Sequence, residues 1–248
     1  QDKRIIVIQG NGKKLIDALN IGILRSRGKF IARMDADDVS LSTRFESQIN
    51  YMNMNVLDIC GCHCLIIDKF NKIKSTNLFP LTHEMCFLSL AIRVPFAHSS
   101  VMIRKNFLID NHLMYGQSDI KTAEDFDLWI RMYNKGAKFG NVDDILLKYR
   151  DLENSLSKIK NKEVIKDSKR LTVKFFEDEK KNLQKILKIK NNNLNFEEQI
   201  LIVKFVFKTF FKTFNFSFFK YLKDINIKAI LFGFLSEIKN NLNLIINR

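Results

Sequence analysis

Hydrophobic and polar positions alternate between two periods along this chain. The apolar run Ile5-Ile6-Val7-Ile8 reads as a short buried strand, and Gln9-Gly10-Asn11-Gly12 as a turn. From Lys13, Leu15, Ile16, Leu19, Ile23 and Leu24 recur at helical spacing, which predicts a helix to about Arg25. Gly28 ends that region, and Phe30 to Met34 forms the next strand. Strand, helix and strand in this order predict a right-handed crossover and a parallel sheet, with ligands beyond the carboxyl ends of the strands.

Thr43-Arg44-Phe45-Glu46 has capping-box spacing, and Phe45, Ile49 and Met52 supply one helical face. Residues 56 to 68 and 71 to 79 read as strands joined by a turn near Asn71. Leu81 to Ala91 reads as a helix, and Val101-Met102-Ile103 as a strand. A further helix begins at Thr122-Ala123-Glu124-Asp125, with Thr122 as N-cap and Asp125 at its third position. Leu128, Trp129 and Met132 share a face with Asp125.

After Arg150 the pattern changes, dividing the chain into 1–150, a Lys-rich helical connection at 151–196 and a basic amphipathic tail at 197–248. Asn191-Asn192-Asn193 marks a break, and Glu197 and Glu198 open another helix. In it Lys204, Lys208 and Lys212 are spaced by four, a basic stripe beside a broad apolar remainder, as in helices that lie on a membrane surface. The competing reading is a helical cap folded on the rest of the chain, or a contact with another subunit.

Composition adds less. At 248 residues with 46% hydrophobic positions, the chain has enough apolar material for one substantial core and a smaller appendage. The net charge of +14 divides as +5 for residues 1–150 and +9 for 151–248, so the tail is the basic part. That favours anionic partners: nucleic acid, an acidic membrane surface or phosphorylated substrates. Four cysteines are too few for a disulfide scaffold. Cys60, Cys62 and Cys64 alternate onto one strand face, a poor spacing for structural zinc, and read as reduced core residues.

The candidate chemistry centres on Arg33-Met34-Asp35-Ala36-Asp37-Asp38. Three carboxylates in four residues repel one another, so their gathering at a strand end suggests a cation there. Mg²⁺ or Mn²⁺ suits oxygen ligands and keeps positions open for substrate phosphates. An isolated Asp-x-Asp is also compatible with a solvated turn capping the next helix.

Five blocks in order resemble the bacterial family-2 glycosyltransferases of the GT-A fold, over roughly residues 4 to 155. They are Ala18-Leu19-Asn20-Ile21-Gly22, the run Arg27 to Asp38, His98 to Lys105, Glu124-Asp125-Phe126-Asp127-Leu128-Trp129, and Leu147-Lys148-Tyr149-Arg150. The resemblance implies an α/β, Rossmann-like mixed sheet with a C-terminal helical extension, and opening strands that precede the first residue here. It also implies an inverting, metal-dependent transfer of a sugar from a nucleotide-diphosphate donor to a glycan or lipid-linked acceptor. Asp37 and Asp38 would hold Mn²⁺ or Mg²⁺, and Asp35 would support them or contact the ribose. Asp125, or else Glu124, would be the catalytic base. Lys13, Arg27 and Arg33 are candidates for phosphate contact.

His98 would line the donor or acceptor pocket or serve as a hydrogen-bonded structural residue, and Trp129 would line the acceptor site or pack in the core. The implied location is cytoplasmic, peripheral at the inner face of the membrane through the tail. Two rivals stand beside this reading: a noncatalytic nucleotide- or glycan-binding remnant of the fold, and a basic nucleic-acid-binding protein. The second lacks any nucleic-acid motif, and its acidic turn would repel phosphates without a metal, so no nucleic-acid partner is expected.

Overall fold

The computed structural model describes residues 2–9, 14–153, 161–187, 194–213 and 216–246. Six strands form one mixed sheet: β1 (Phe30–Ala32), β2 (Val39–Ser40), β3 (Ile59–Ile67), β4 (Ile73–Asn77), β5 (Met102–Arg104) and β6 (Phe139–Arg150). The order is β1-β5-β3-β6-β2, with β4 against the second half of β3. β3 runs parallel to β6, and the other pairings are antiparallel. The helices are α1 (Leu15–Arg25), α2 (Arg44–Met54), α3 (His83–Leu90), α4 (Lys105–Asp110), α5 (Glu124–Asn134), α6 (Asn161–Ile186), α7 (Phe196–Thr213) and α8 (Ile227–Ile246). This is the α/β mixed-sheet architecture with a C-terminal helical region that the resemblance implies.

The central strand explains the two cores. Cys60, Cys62 and Cys64, all free and buried, face Met52 of α2 together with Met102, Val142 and Leu147. Ile59 faces the other way, into a cluster with α3, Trp129 of α5, Phe175 and Phe176 of α6 and Phe205 of α7. Gly61 sits where a Cβ would lie 2.2 Å from Asn141 Oδ1 and 2.8 Å from Phe96, so a larger residue there would displace side chains packed over β3.

Four expectations are overturned. Ile5–Ile8 is no strand: all four residues are exposed, because no strand among the described residues pairs with them. The parallel crossover therefore does not form, and β1 pairs antiparallel with β5. α2 forms where expected but is rotated: Arg44, Gln48 and Met52 are buried at i, i+4 and i+8, while Phe45 is exposed and Thr43 makes no side-chain cap. Arg44 takes the inward position because it has backbone partners to satisfy there, described below.

α7 is not a surface helix. Ile200, Leu201, Ile202, Val203, Phe205, Val206 and Phe207 are all buried, and Lys208 Nζ donates to the Ala91 carbonyl at 2.6 Å. Its start is fixed reciprocally: Glu198 N donates to Asn195 Oδ1, Asn195 N donates to Glu198 Oε2, and Glu198 Oε1 accepts from Leu81 N. The helical cap is what the sequence's competing reading described. The turn at 10–12, Lys13, the break at 191–193 and the Lys212 side chain lie outside the described residues and side chains.

Candidate active site

β1 delivers the acidic turn to the carboxyl end of the sheet, and Arg33 N still pairs with the Val101 carbonyl beyond the strand. Two arginines hold the turn's backbone. Arg44 is wholly buried; its Nη2 donates to the Arg33 carbonyl at 2.9 Å, and its Nε to Gln48 Oε1 at 3.0 Å. Gln48 Nε2 in turn donates to the Cys60 and Ser100 carbonyls. Arg150, at the end of β6, donates through Nε to the Asp37 carbonyl at 2.7 Å, and through its other nitrogens to the Asp68 carbonyl and Asn71 Oδ1. Backbone groups at a strand end need such partners, since an unpaired buried one is costly.

These clamps sort the three aspartates. Asp37 is exposed, and Asp35 is half-exposed and accepts from Arg33 Nη1. Asp38 turns inward: 7% exposed, its Oδ1 accepts from Arg150 N at 2.7 Å. Burial pushes its carboxyl pKa up, against the Ser99 hydroxyl and the Arg150 N–H. The expected ligand pair of Asp37 and Asp38 is thus split, because Asp38 satisfies the backbone where β6 ends.

α5 begins at Glu124, with Ala123 rather than Thr122 as its flanking residue. Thr122 is engaged elsewhere: its hydroxyl and N–H, with Lys121 N, all donate to Asp167 Oδ2 of α6. Asp125 Oδ1 accepts from Phe126 N at 2.8 Å. Desolvation, and next the charge of Glu124, push the Asp125 pKa up to about 6, while Phe126 N–H and Arg33 oppose the rise.

Arg33 connects the two places. It is bonded to Asp35, and its charge is also felt at Asp125, His98 and Tyr115. His98 Nε2 and the Tyr115 hydroxyl are 2.9 Å apart. Burial, aided by Arg33, holds His98 well below its ordinary pKa, so it is neutral. Asn20 of α1 fixes Tyr115 by two hydrogen bonds to its backbone, which explains the asparagine in the Ala18–Gly22 block.

Trp129 is fully buried, packed on Phe96, His98 and Tyr115, so of the two readings of this residue the core packing holds. Arg27 lies before β1, at the opposite end of the strand from the turn, and lines a shallow hollow with Leu24 and Lys105. Arg44, Gln48 and Arg150 were missed as site residues. The i, i+4 pairing of Arg44 and Gln48 on an otherwise buried face was the available signal.

Residues 1–113 match the family model described as glycosyl transferase family 2. The matched residues, which end before α5 and β6, are thus similar to a family-2 glycosyltransferase domain.

The O-antigen biosynthesis glycosyltransferase WbnJ of Escherichia coli is 30% identical over 151 residues, covering 60% of this chain and 58% of WbnJ. The amylovoran biosynthesis glycosyltransferase AmsE of Erwinia amylovora is 33% identical over 138 residues, 54% of this chain and 49% of AmsE. The chain thus spans about half the length of these relatives. The crystal structure of S. aureus TarS 1–349 with UDP-GlcNAc aligns over 89% of this chain and 68% of its own, at 11% identity and a TM-score of 0.41, a likeness too loose to bear on function.

Proposed function

We propose that this chain transfers a sugar from a nucleotide-diphosphate donor to a hydroxyl of a glycan or lipid-linked acceptor in polysaccharide assembly, with inversion at the anomeric carbon. The observation that carries the reading is Arg33, which ties the open carboxylates of the turn to the desolvated Asp125 within one electrostatic neighbourhood.

The donor set suits a divalent cation. Among the described residues no three His, Cys, Asp or Glu side chains converge into a closed cage. Asp37 and Asp35 instead offer two accessible carboxylates, the sparse set with which Mg²⁺ or Mn²⁺ is commonly held while water and phosphates fill the remainder. A bound cation would offset the charge growing on the departing diphosphate. Arg33 adds a fixed positive charge at the same place. Arg150, Arg44 and Asp38 hold the turn's shape rather than meeting ligand.

Asp125 takes the acceptor proton as its oxygen attacks from the face opposite the diphosphate, in one displacement. Its raised pKa makes it a better base than an ordinary carboxylate at neutral pH while leaving it ionised. Glu124 adds negative charge beside it, and Tyr115, hydrogen-bonded to neutral His98, lies within reach of the same charges. The relatives' roles in O-antigen and amylovoran biosynthesis support a polysaccharide acceptor, and a lipid-linked one would place the chain at the cytoplasmic face of a membrane.

A panel of nucleotide sugars incubated with the chain and Mn²⁺, read as released nucleoside diphosphate, tests this. Hydrolysis of one donor that stops when the metal is chelated is expected. Nucleoside-diphosphate binding without turnover of any donor would instead identify a noncatalytic binding remnant.

A further inference from the structure

We propose that the outward face of α8 is a docking surface for an anionic lipid bilayer, an inference that rests on the reading of a membrane-borne acceptor. α8 is divided along its length. Ala229, Ile230, Gly233 and Phe234 turn inward; Phe234 packs on Phe207, and a Cβ at Gly233 would lie 2.6 Å from Val203. That close fit prevents the helix from rolling its other side inward.

The other side carries Ile227, Leu231, Phe232 and Leu235, which are 65, 54, 59 and 63% exposed. At the helical repeat, Ile227, Leu231 and Leu235 form one line, with Phe232 beside it. Single exposed apolar residues are ordinary on a protein surface, whereas four large ones on one stripe mark an interaction site.

Charge argues for the occupant. Lys228 on α8 and Lys220 and Lys223 in the segment leading into it are exposed, and Asp224 is the one acidic residue in positions 216–236. Residues 151–248 together carry +9. Two copies of so basic a face repel each other, while anionic headgroups attract it. Among the described residues no helix is long and apolar enough to cross a membrane, so α8 would lie in the interface plane with its stripe in the acyl boundary. The structure therefore moves the docking surface from α7, whose apolar side chains from Ile200 to Phe207 are already covered, to α8.

The test is flotation of the full chain with phosphatidylglycerol/phosphatidylcholine vesicles and with phosphatidylcholine alone. The comparison set is Leu231→Gln/Phe232→Gln and a control, Met54→Gln, which changes an exposed apolar residue on α2. The wild type and the control are expected to float with anionic vesicles, and the double variant at least about tenfold less well. Unchanged thermal unfolding of the double variant would show that it remains folded.

Failure of the wild type to float, or equal flotation of the double variant, would overturn the proposal. So would a wild-type dimer in solution that the double variant abolishes, since a second copy would then own the stripe. Nucleoside-diphosphate binding, measured without vesicles, separates the two readings. Binding without flotation removes the docking surface alone, and flotation without binding removes the transferase and leaves the surface standing.

Discussion

The turn after β1 and the start of α5 are both acidic, and they are held in opposite ways. At the turn, Arg150 and Arg44 grip the backbone, so the Asp35 and Asp37 side chains stay open to water. At α5, Asp167 grips the loop that leads into the helix, and the Asp125 carboxyl itself is largely desolvated. Carboxylates left open to water are open to a cation as well. A carboxylate stripped of water becomes a stronger base. On the proposed function, the difference would give ligand binding to one element and proton transfer to the other.

The sharpest way to break that division is Asp125→Asn. Loss of a general base should lower kcat by roughly 10² to 10⁴ while nucleoside-diphosphate affinity holds. Stability should move the other way. Burial raises the folded-state pKa from 3.8 to about 6, so the ionised form is disfavoured on folding, and this cost is present at pH 7 and vanishes as pH falls below the unfolded value. Removing it should add on the order of 2–3 kcal/mol, seen as a higher Tm at pH 7.5 but not at pH 3.

Asp37→Asn should do the converse, weakening Mn²⁺-dependent nucleoside-diphosphate binding by about 10- to 100-fold with little change in Tm. Arg150→Lys, which loses the three-way grip on Asp37, Asp68 and Asn71, should weaken the same binding by roughly tenfold and leave the pH profile unmoved. Activity of the wild type should itself rise through pH 6 as Asp125 ionises, with Glu124 beside it, Arg33 at the end of β1 and Tyr115 as the groups coupled to it. In Asp125→Asn that limb should disappear. The smallest effect expected is Phe45→Ala, within about 0.5 kcal/mol at an exposed position, against about 2–4 kcal/mol for Met52→Ala in the core on the same helix.

Much of this was legible in the chain because local signals and burial agreed. The Cys60, Cys62 and Cys64 alternation, the Asn71 turn with its positive φ of 66°, and the helix over Glu124–Asn134 all follow from short-range pattern. The failures occur where burial depends on distant neighbours. Ile5–Ile8 has the composition of a core strand, yet a strand is buried only if another lies beside it. The Lys204 and Lys208 spacing looked like a solvated stripe, but Lys208 reaches a carbonyl of the α3 C-terminus and lies over Phe176. Within the site, the acidic triplet could be found from sequence but not sorted. What turns Asp38 inward is the backbone of Arg150, more than a hundred residues on.

The measurement that bears most directly on the two-element account is calorimetric titration of uridine and guanosine diphosphates, with Mn²⁺, into the wild type, Asp37→Asn and Asp125→Asn. The account predicts one diphosphate that binds wild type and Asp125→Asn alike and is lost with Asp37→Asn or on chelation. Binding that survives Asp37→Asn but fails with Asp125→Asn would contradict it.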